Sequence, residues 1–141
     1  MDHKKIVKSS TKKDGYVEGI GRRKTAVARV RLVKGKSSPQ VNERAIDKYF
    51  PLLNHRNIAL APLLSLQLKD TYTIEARVRG GGVAAQAEAI RHGLARAIVK
   101  SDEAWKPRLR VSGYLTRDPR MVERKKYGKK KARVSPQWSK R

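Results

Sequence analysis

The chain has 141 residues, 35 of them Lys or Arg and 12 Asp or Glu, for a formal net charge of +23. That length suits one small domain with extensions, and a compact state with so much like charge repels itself, so a polyanionic partner should both bind and stabilise it. Cysteine is absent, which excludes a disulfide framework and any thiolate metal site, and no apolar run reaches the length of a membrane span.

Residues 1–15, MDHKKIVKSSTKKDG, are rich in Lys and carry no apolar stretch behind the charges. This is the pattern neither of a secretory signal nor of an Arg-rich transit peptide; it reads as a flexible basic arm. Residues 16–33 read as one extended run. From Lys24 the residues alternate, with Ala26, Ala28, Val30 and Leu32 on one face and Thr25, Val27, Arg29, Arg31 and Val33 on the other, the period of a strand with one buried face. Gly19 and Gly21 mark a bulge or a close backbone approach. Gly35 to Pro39 is a turn signal, and Val41 belongs to a short second strand. Asn42 is placed to cap a short helix carrying Ala45, Ile46, Tyr49 and Phe50, which Pro51 ends. Pro62 suits the first turn of a second short helix with Leu63, Leu64 and Leu66.

The clearest strand is 71–79, with Tyr72, Ile74, Ala76 and Val78 facing the core. The clearest helix is 83–99, with Val83, Ala87, Ile90, Leu94, Ala97 and Ile98 in one stripe. Beyond it Asp102 and Glu103 suit an acidic first turn, Pro107 argues against a helix interior, and Gly113 closes the domain. Strands and helices interleave without a βαβ rhythm. That predicts α+β architecture: a two-layer sandwich, a small mixed sheet with helices on one face. Arg29, Arg31, Arg77 and Arg79 fall on the other face.

After Gly113 the character changes. Residues 117–141 hold eleven Lys or Arg against Asp118 and Glu123, and their apolar residues stand singly. Such a segment cannot bury enough surface to offset the entropy of ordering it; it reads as an extended basic C-terminal tail ordered by a polyanion. The expected organisation is a basic arm (1–15), a globular α+β domain (16–113) that meets the polyanion, and a tail (114–141).

The motifs point the same way. Gly80, Gly81 and Gly82 join a strand to a helix start, where unpaired N–H groups and missing Cβ atoms let a phosphate approach; a tight turn needing positive φ is the plainer account. The run is neither a P-loop nor a dinucleotide fingerprint. Arg22, Arg23 and Lys24 set three cations beside Gly21, for phosphate contact or for protection of an edge strand. His3, His55 and His92 do not cluster, and no Ser/His/Asp set or paired carboxylates stand out, so neither catalysis nor metal binding is expected. In the tail Arg120, Arg124, Lys125, Lys126, Lys129, Lys130, Lys131 and Arg133 suit phosphates, while Tyr127 and Trp138 suit stacking on bases or pinning the tail to its own domain.

Several segments together resemble one family: Gly21-Arg22-Arg23-Lys24-Thr25-Ala26; Arg44 through Tyr49-Phe50; Gly80-Gly81-Gly82 with Gln86-Ala87 and Ala89-Ile90-Arg91-His92-Gly93; Thr116-Arg117-Asp118, Arg120 and Val122 to Lys126; Lys131-Ala132-Arg133; and Pro136 to Arg141. In order, they look like small-subunit ribosomal protein S-nine of bacterial or organellar type, from about Tyr16 to the end.

The resemblance implies the fold of the second domain of ribosomal protein S-five, shared with ribonuclease P protein and GHMP kinases, with a left-handed βαβ crossover. It implies a non-enzymatic constituent of the small subunit, without cofactor or small-molecule substrate, supporting translation in the cytoplasm, or in the plastid stroma if organelle-encoded. Its partners would be small-subunit ribosomal RNA in the head, neighbouring head proteins and P-site transfer RNA. RNA contacts would fall on Arg22, Arg23, Lys24, Gly80, Gly81, Gly82, Gln86, Arg91, His92, Arg117 and the tail cations, with Ser139, Lys140 and Arg141 nearest the transfer RNA. Trp138 stands where the family more often has Phe, and Val134-Ser135 replaces a more basic pair. An RNA-processing subunit such as ribonuclease P protein would share fold and charge but needs neither the tail nor the Gly-Gly-Gly-to-Arg-His-Gly helix.

Overall fold

The computed structural model describes residues 15–140. The basic arm of residues 1–15, Gly15 excepted, and Arg141 lie outside the described residues. The extended run expected over 16–33 is two strands. β1 (Tyr16–Arg23) and β2 (Ala26–Lys34) form an antiparallel hairpin with Arg23 opposite Ala26. Lys24 turns the chain at φ 50°, the positive φ that short hairpin turns require. The inward phase shifts across the turn, from odd positions (Gly19, Gly21) to even ones (Ala26, Ala28, Val30, Leu32). One strand cannot make that shift.

The sheet runs β1-β2-β5-β3-β4. β3 (Gln40–Val41) and β4 (Arg44–Ala45) make a miniature hairpin, and β3 lies parallel to β5 (Tyr72–Arg79). Asn42 does not cap a helix. With Glu43 it forms the β3–β4 turn at φ 49° and 65°, a conformation Asn tolerates well. Its side chain then acts like one more strand residue: Oδ1 accepts the Val78 N–H at 2.8 Å and Nδ2 donates to the Val78 carbonyl at 3.0 Å.

Two helices, α1 (Ile46–Tyr49) and α2 (Leu53–Ser65), lead from β4 to β5. Pro62 lies near the end of α2, not at the start of a separate helix. Its cost to an interior turn is offset by burial, for Ala59, Pro62 and Leu63 all lie inside. α3 (Val83–Ser101) crosses β1 and β2, with α2 beside it. Its stripe is buried from Ala87 to Ile98, but Val83 at the helix start is exposed. A 3₁₀ turn (Glu103–Trp105), capped by Asp102 Oδ1 on the Ala104 N–H at 3.0 Å, leads into α4 (Lys106–Val111). Pro107 fits there because it occupies the first turn, where a missing N–H leaves no bond unmade.

The result is a mixed α+β sandwich with helices on one face of the sheet. Phe50, Ile74, Ile90, Leu94 and Ile98 fill the layer between. Along β1 there is no room for side chains. A Cβ added to Gly93 of α3 would lie 2.9 Å from the Gly21 nitrogen and 2.9 Å from Val30 Cγ2, and one added to Gly21 would run into the Ala89 carbonyl. Gly19 and Gly21 therefore mark a close helix approach rather than a bulge, and α3 rests almost directly on the β1 backbone.

Candidate nucleic-acid interface

The β1–β2 turn, the end of β5 and the start of α3 meet at one end of the sheet. Arg22, Lys24 and Arg79 are exposed there beside the glycine run. Gly80 and Gly81 have φ of 73° and 69°, and a Cβ on either would crowd Thr25 or Ala26. They are needed for the turn. Gly82 differs: its φ is −91°, nothing lies within 4 Å of a Cβ built on it, and α3 begins with no acid in its first turn. Gln86 is occupied internally, accepting from the Tyr49 hydroxyl at 2.8 Å and donating to the Gly80 carbonyl at 3.1 Å.

β1 is an edge strand, and α3 caps its outward backbone. His92 Nδ1 accepts the Arg22 N–H at 3.4 Å, Arg96 Nη1 donates to the Ile20 carbonyl at 2.6 Å, and Lys100 Nζ donates to the Glu18 carbonyl at 2.9 Å. The match is geometric. Four helical residues rise about 6 Å and two strand residues about 6.7 Å, so every fourth residue of α3 meets every second residue of β1. The His92 ring also bonds to the backbone of Leu115, at the start of the tail. Burial, and then the guanidinium of Arg96, push His92 below the ordinary histidine value, with Arg117 and Arg91 adding to the effect. The neutral ring is the form that accepts the Arg22 N–H. Arg91 lies half-buried with its guanidinium 5.6 Å from the Tyr114 ring.

Arg23 points inward. Its side chain is only 12% exposed; Nε pairs with Glu88 of α3, Nη2 lies 3.2 Å from Asp118, and Nη1 donates to the Arg120 carbonyl at 2.8 Å. Asp118 is also bound by Arg120, through its N–H at 3.0 Å and its Nη2 at 2.8 Å. Hydrogen bonds from Arg120, with the nearby Arg23 charge, hold the Asp118 carboxyl well below the usual carboxylate range.

Residues 117–140 form no helix or strand, and nearly every one is exposed. Glu123 pairs with Lys126 and, at 3.0 Å, with Arg133, which draws residues 123–133 into a turn and lowers the Glu123 carboxyl. Tyr127 and Trp138 are 99% and 80% exposed, so neither ring pins the tail to the domain. Ser139 and Lys140 are exposed at the end.

Two surfaces differ in their charge. On the open sheet face Glu18 lies 3.0 Å from Arg29 and 3.6 Å from Arg31, and Glu43 lies 3.7 Å from Arg77. At the α3 end and along the tail, by contrast, no carboxylate among the described residues pairs with Arg22, Lys24, Arg79, Arg91, Arg117, Arg124, Lys125 or Lys129–Lys131. Sequence reasoning passed over Arg96 and Lys100 as functional positions. Their spacing from His92 on one helix, opposite Arg22, Ile20 and Glu18, is the signal that links them.

Among the described residues no group of three or more His, Cys, Asp or Glu gathers to hold a metal, and no helix is long and apolar enough to cross a membrane. An α+β domain with an uncompensated cationic end and an exposed cationic tail is the build of a ribonucleoprotein component. The family model of ribosomal protein S9/S16 matches residues 21–141, and the chain belongs to that family. It is a structural constituent of the small ribosomal subunit, working in translation in contact with ribosomal RNA and ribosomal proteins. The family is structural rather than enzymatic.

Proposed function

We propose that the chain binds small-subunit ribosomal RNA in the head of the subunit, and that its tail runs through that RNA toward the P-site transfer RNA. The domain (16–113) meets folded RNA by shape and phosphate contact at Arg22, Lys24, Gly82 and Arg91, with Arg117 at the start of the tail beside them, because an A-form duplex hides its base edges in a deep groove. The tail (114–141) carries Arg120, Arg124, Lys125, Lys126, Lys129, Lys130, Lys131 and Arg133 into crevices between RNA helices, as tethered counterions. Each neutralised phosphate adds roughly 0.7–0.9 to the salt slope of log affinity. Neighbouring head proteins complete the surroundings, in cytoplasmic ribosomes or in those of a plastid.

One observation carries this reading: the tail is exposed, free of helix and strand, and holds Arg117, Arg124, Lys125 and Lys129–Lys131, which pair with no carboxylate among the described residues. Extended, the 24 residues after Arg117 span up to ~80 Å, enough to leave the domain and cross a layer of RNA. Ser139, Lys140 and Arg141 then stand nearest the transfer RNA, where the last two add positive charge. The test is deletion of residues 139–141. Subunits should assemble with one copy of the protein each, and their P-site transfer RNA affinity should fall. Affinity equal to that of intact subunits would refute the assignment.

A further inference from the structure

We propose that Arg23 is the positioning residue of the tail, a buried clasp that sets where and in what direction the tail leaves the domain before any RNA is bound. This rests on the reading that the tail engages RNA. Arg23 ends β1, 97 residues from Arg120 in the chain, yet its guanidinium joins three groups on two elements: the Glu88 carboxylate on α3, and the Asp118 carboxylate and Arg120 carbonyl at the root of the tail. All three of its nitrogens are engaged, and the planar fork of a guanidinium fixes the directions of its partners in a way an ammonium cannot. The root is itself closed. Asp118 accepts from the Arg120 N–H and side chain, and Pro119 between them holds its own φ near −65°.

The charge pattern supports the same role. Arg22 and Lys24 are exposed and pair with no carboxylate among the described residues, which leaves them open to phosphate; Arg23 is nearly covered and meets two of the chain's 12 acids. Without those acids the cationic tail root would face the cationic end of the domain and be repelled. With them, the first residues of the tail are ordered in advance, and less conformational freedom is lost when RNA closes around the rest.

The absence of cysteine makes the test clean. Nitroxide labels at Ala84→Cys on α3 and Val122→Cys in the tail, both exposed sites, report the distance across the clasp in the free protein by pulsed electron spin resonance. The parent should give one narrow distribution. Arg23→Met should broaden it at least twofold, and so should Asp118→Asn, which alters only the tail side and covers the case in which Arg23→Met does not fold. A second readout separates the clasp from phosphate contact: Arg22→Met should lower the salt slope of ribosomal RNA affinity by roughly 0.7–0.9, while Arg23→Met leaves it unchanged. Distributions as narrow as the parent's in both clasp variants, or a slope loss in Arg23→Met equal to that in Arg22→Met, would overturn the proposal. The labels are read without RNA, so the clasp can fail while the transfer RNA assignment stands, and the reverse.

Discussion

The contact of α3 with β1 can be tested by adding single methyl groups. Gly21→Ala would place a Cβ against the Ala89 carbonyl and 2.9 Å from Gly93 Cα, so every obstacle is backbone. A long side chain could swing aside, but a helix can only move as a unit. Overpacking a tight interior typically costs about 1–3 kcal/mol, and rigid neighbours put Gly21→Ala near the top, about 3 kcal/mol. Gly93→Ala meets the Gly21 nitrogen and Val30 Cγ2, each at 2.9 Å. It also gains about 1 kcal/mol of helix propensity, leaving a net loss of about 0–2 kcal/mol. The two sites touch, so the double variant should lose less than the sum: once the layers part, the second methyl finds room. Gly82→Ala is the control, since nothing lies within 4 Å of its Cβ, and it should stay within about 0.5 kcal/mol. Urea unfolding followed by circular dichroism measures all four variants; with a slope of about 2 kcal/mol per molar, a 3 kcal/mol loss moves the midpoint by about 1.5 M. Gly21→Ala costing no more than Gly82→Ala would show that the helix does not rest on the strand.

Two further predictions concern residues that hold the interface. His92 has a lowered pKa in the folded state, so below the unfolded value of about 6.5 the unfolded chain binds more protons at this site than the folded one. Stability from His92 is therefore complete above that pH and declines as pH falls below it. Urea unfolding at pH 5.5 and 7.5 should show this loss, and His92→Gln should remove His92's share; equal pH dependence in the two proteins would exclude the neutral-ring assignment. Gln86→Leu strands the half-buried Tyr49 hydroxyl and leaves the exposed Gly80 carbonyl to water. It should cost about 1–3 kcal/mol without changing ribosomal RNA affinity at a fixed salt concentration, and weaker binding would return Gln86 to the RNA-contacting set.

Much of the architecture is legible in the chain. Strand β5 and helix α3 follow from alternation in 71–79 and from the stripe at Ala87, Ile90, Leu94 and Ile98, because periods of two and 3.6 select one face each. The hairpin at Lys24 was written as well, in the shift of buried residues from odd to even positions, but two glycines obscured it. Asn42, Pro62 and Pro107 were harder. Asn serves turns as well as helix caps, and proline tolerates the start of a helix and, where burial offsets its cost, a late turn; the choice depends on neighbours distant in sequence.

Charge was legible in total but not in its allocation. Composition dictates that this chain seeks a polyanion, because +23 on 141 residues repels itself and a tail without an apolar period has no core of its own to order it. Which cations remain available is settled by packing. Arg22, Arg23 and Lys24 are neighbours of similar chemistry, yet the strand pleat turns Arg23 toward α3 and the tail root while leaving the other two to solvent. His92, Arg96 and Lys100 become caps on the β1 edge only because the rise of a helix turn matches two strand residues at the distance the glycines permit. A local pattern specifies which face of an element is buried. What that face meets depends on residues some 70 to 97 positions away, and only the folded chain brings them together.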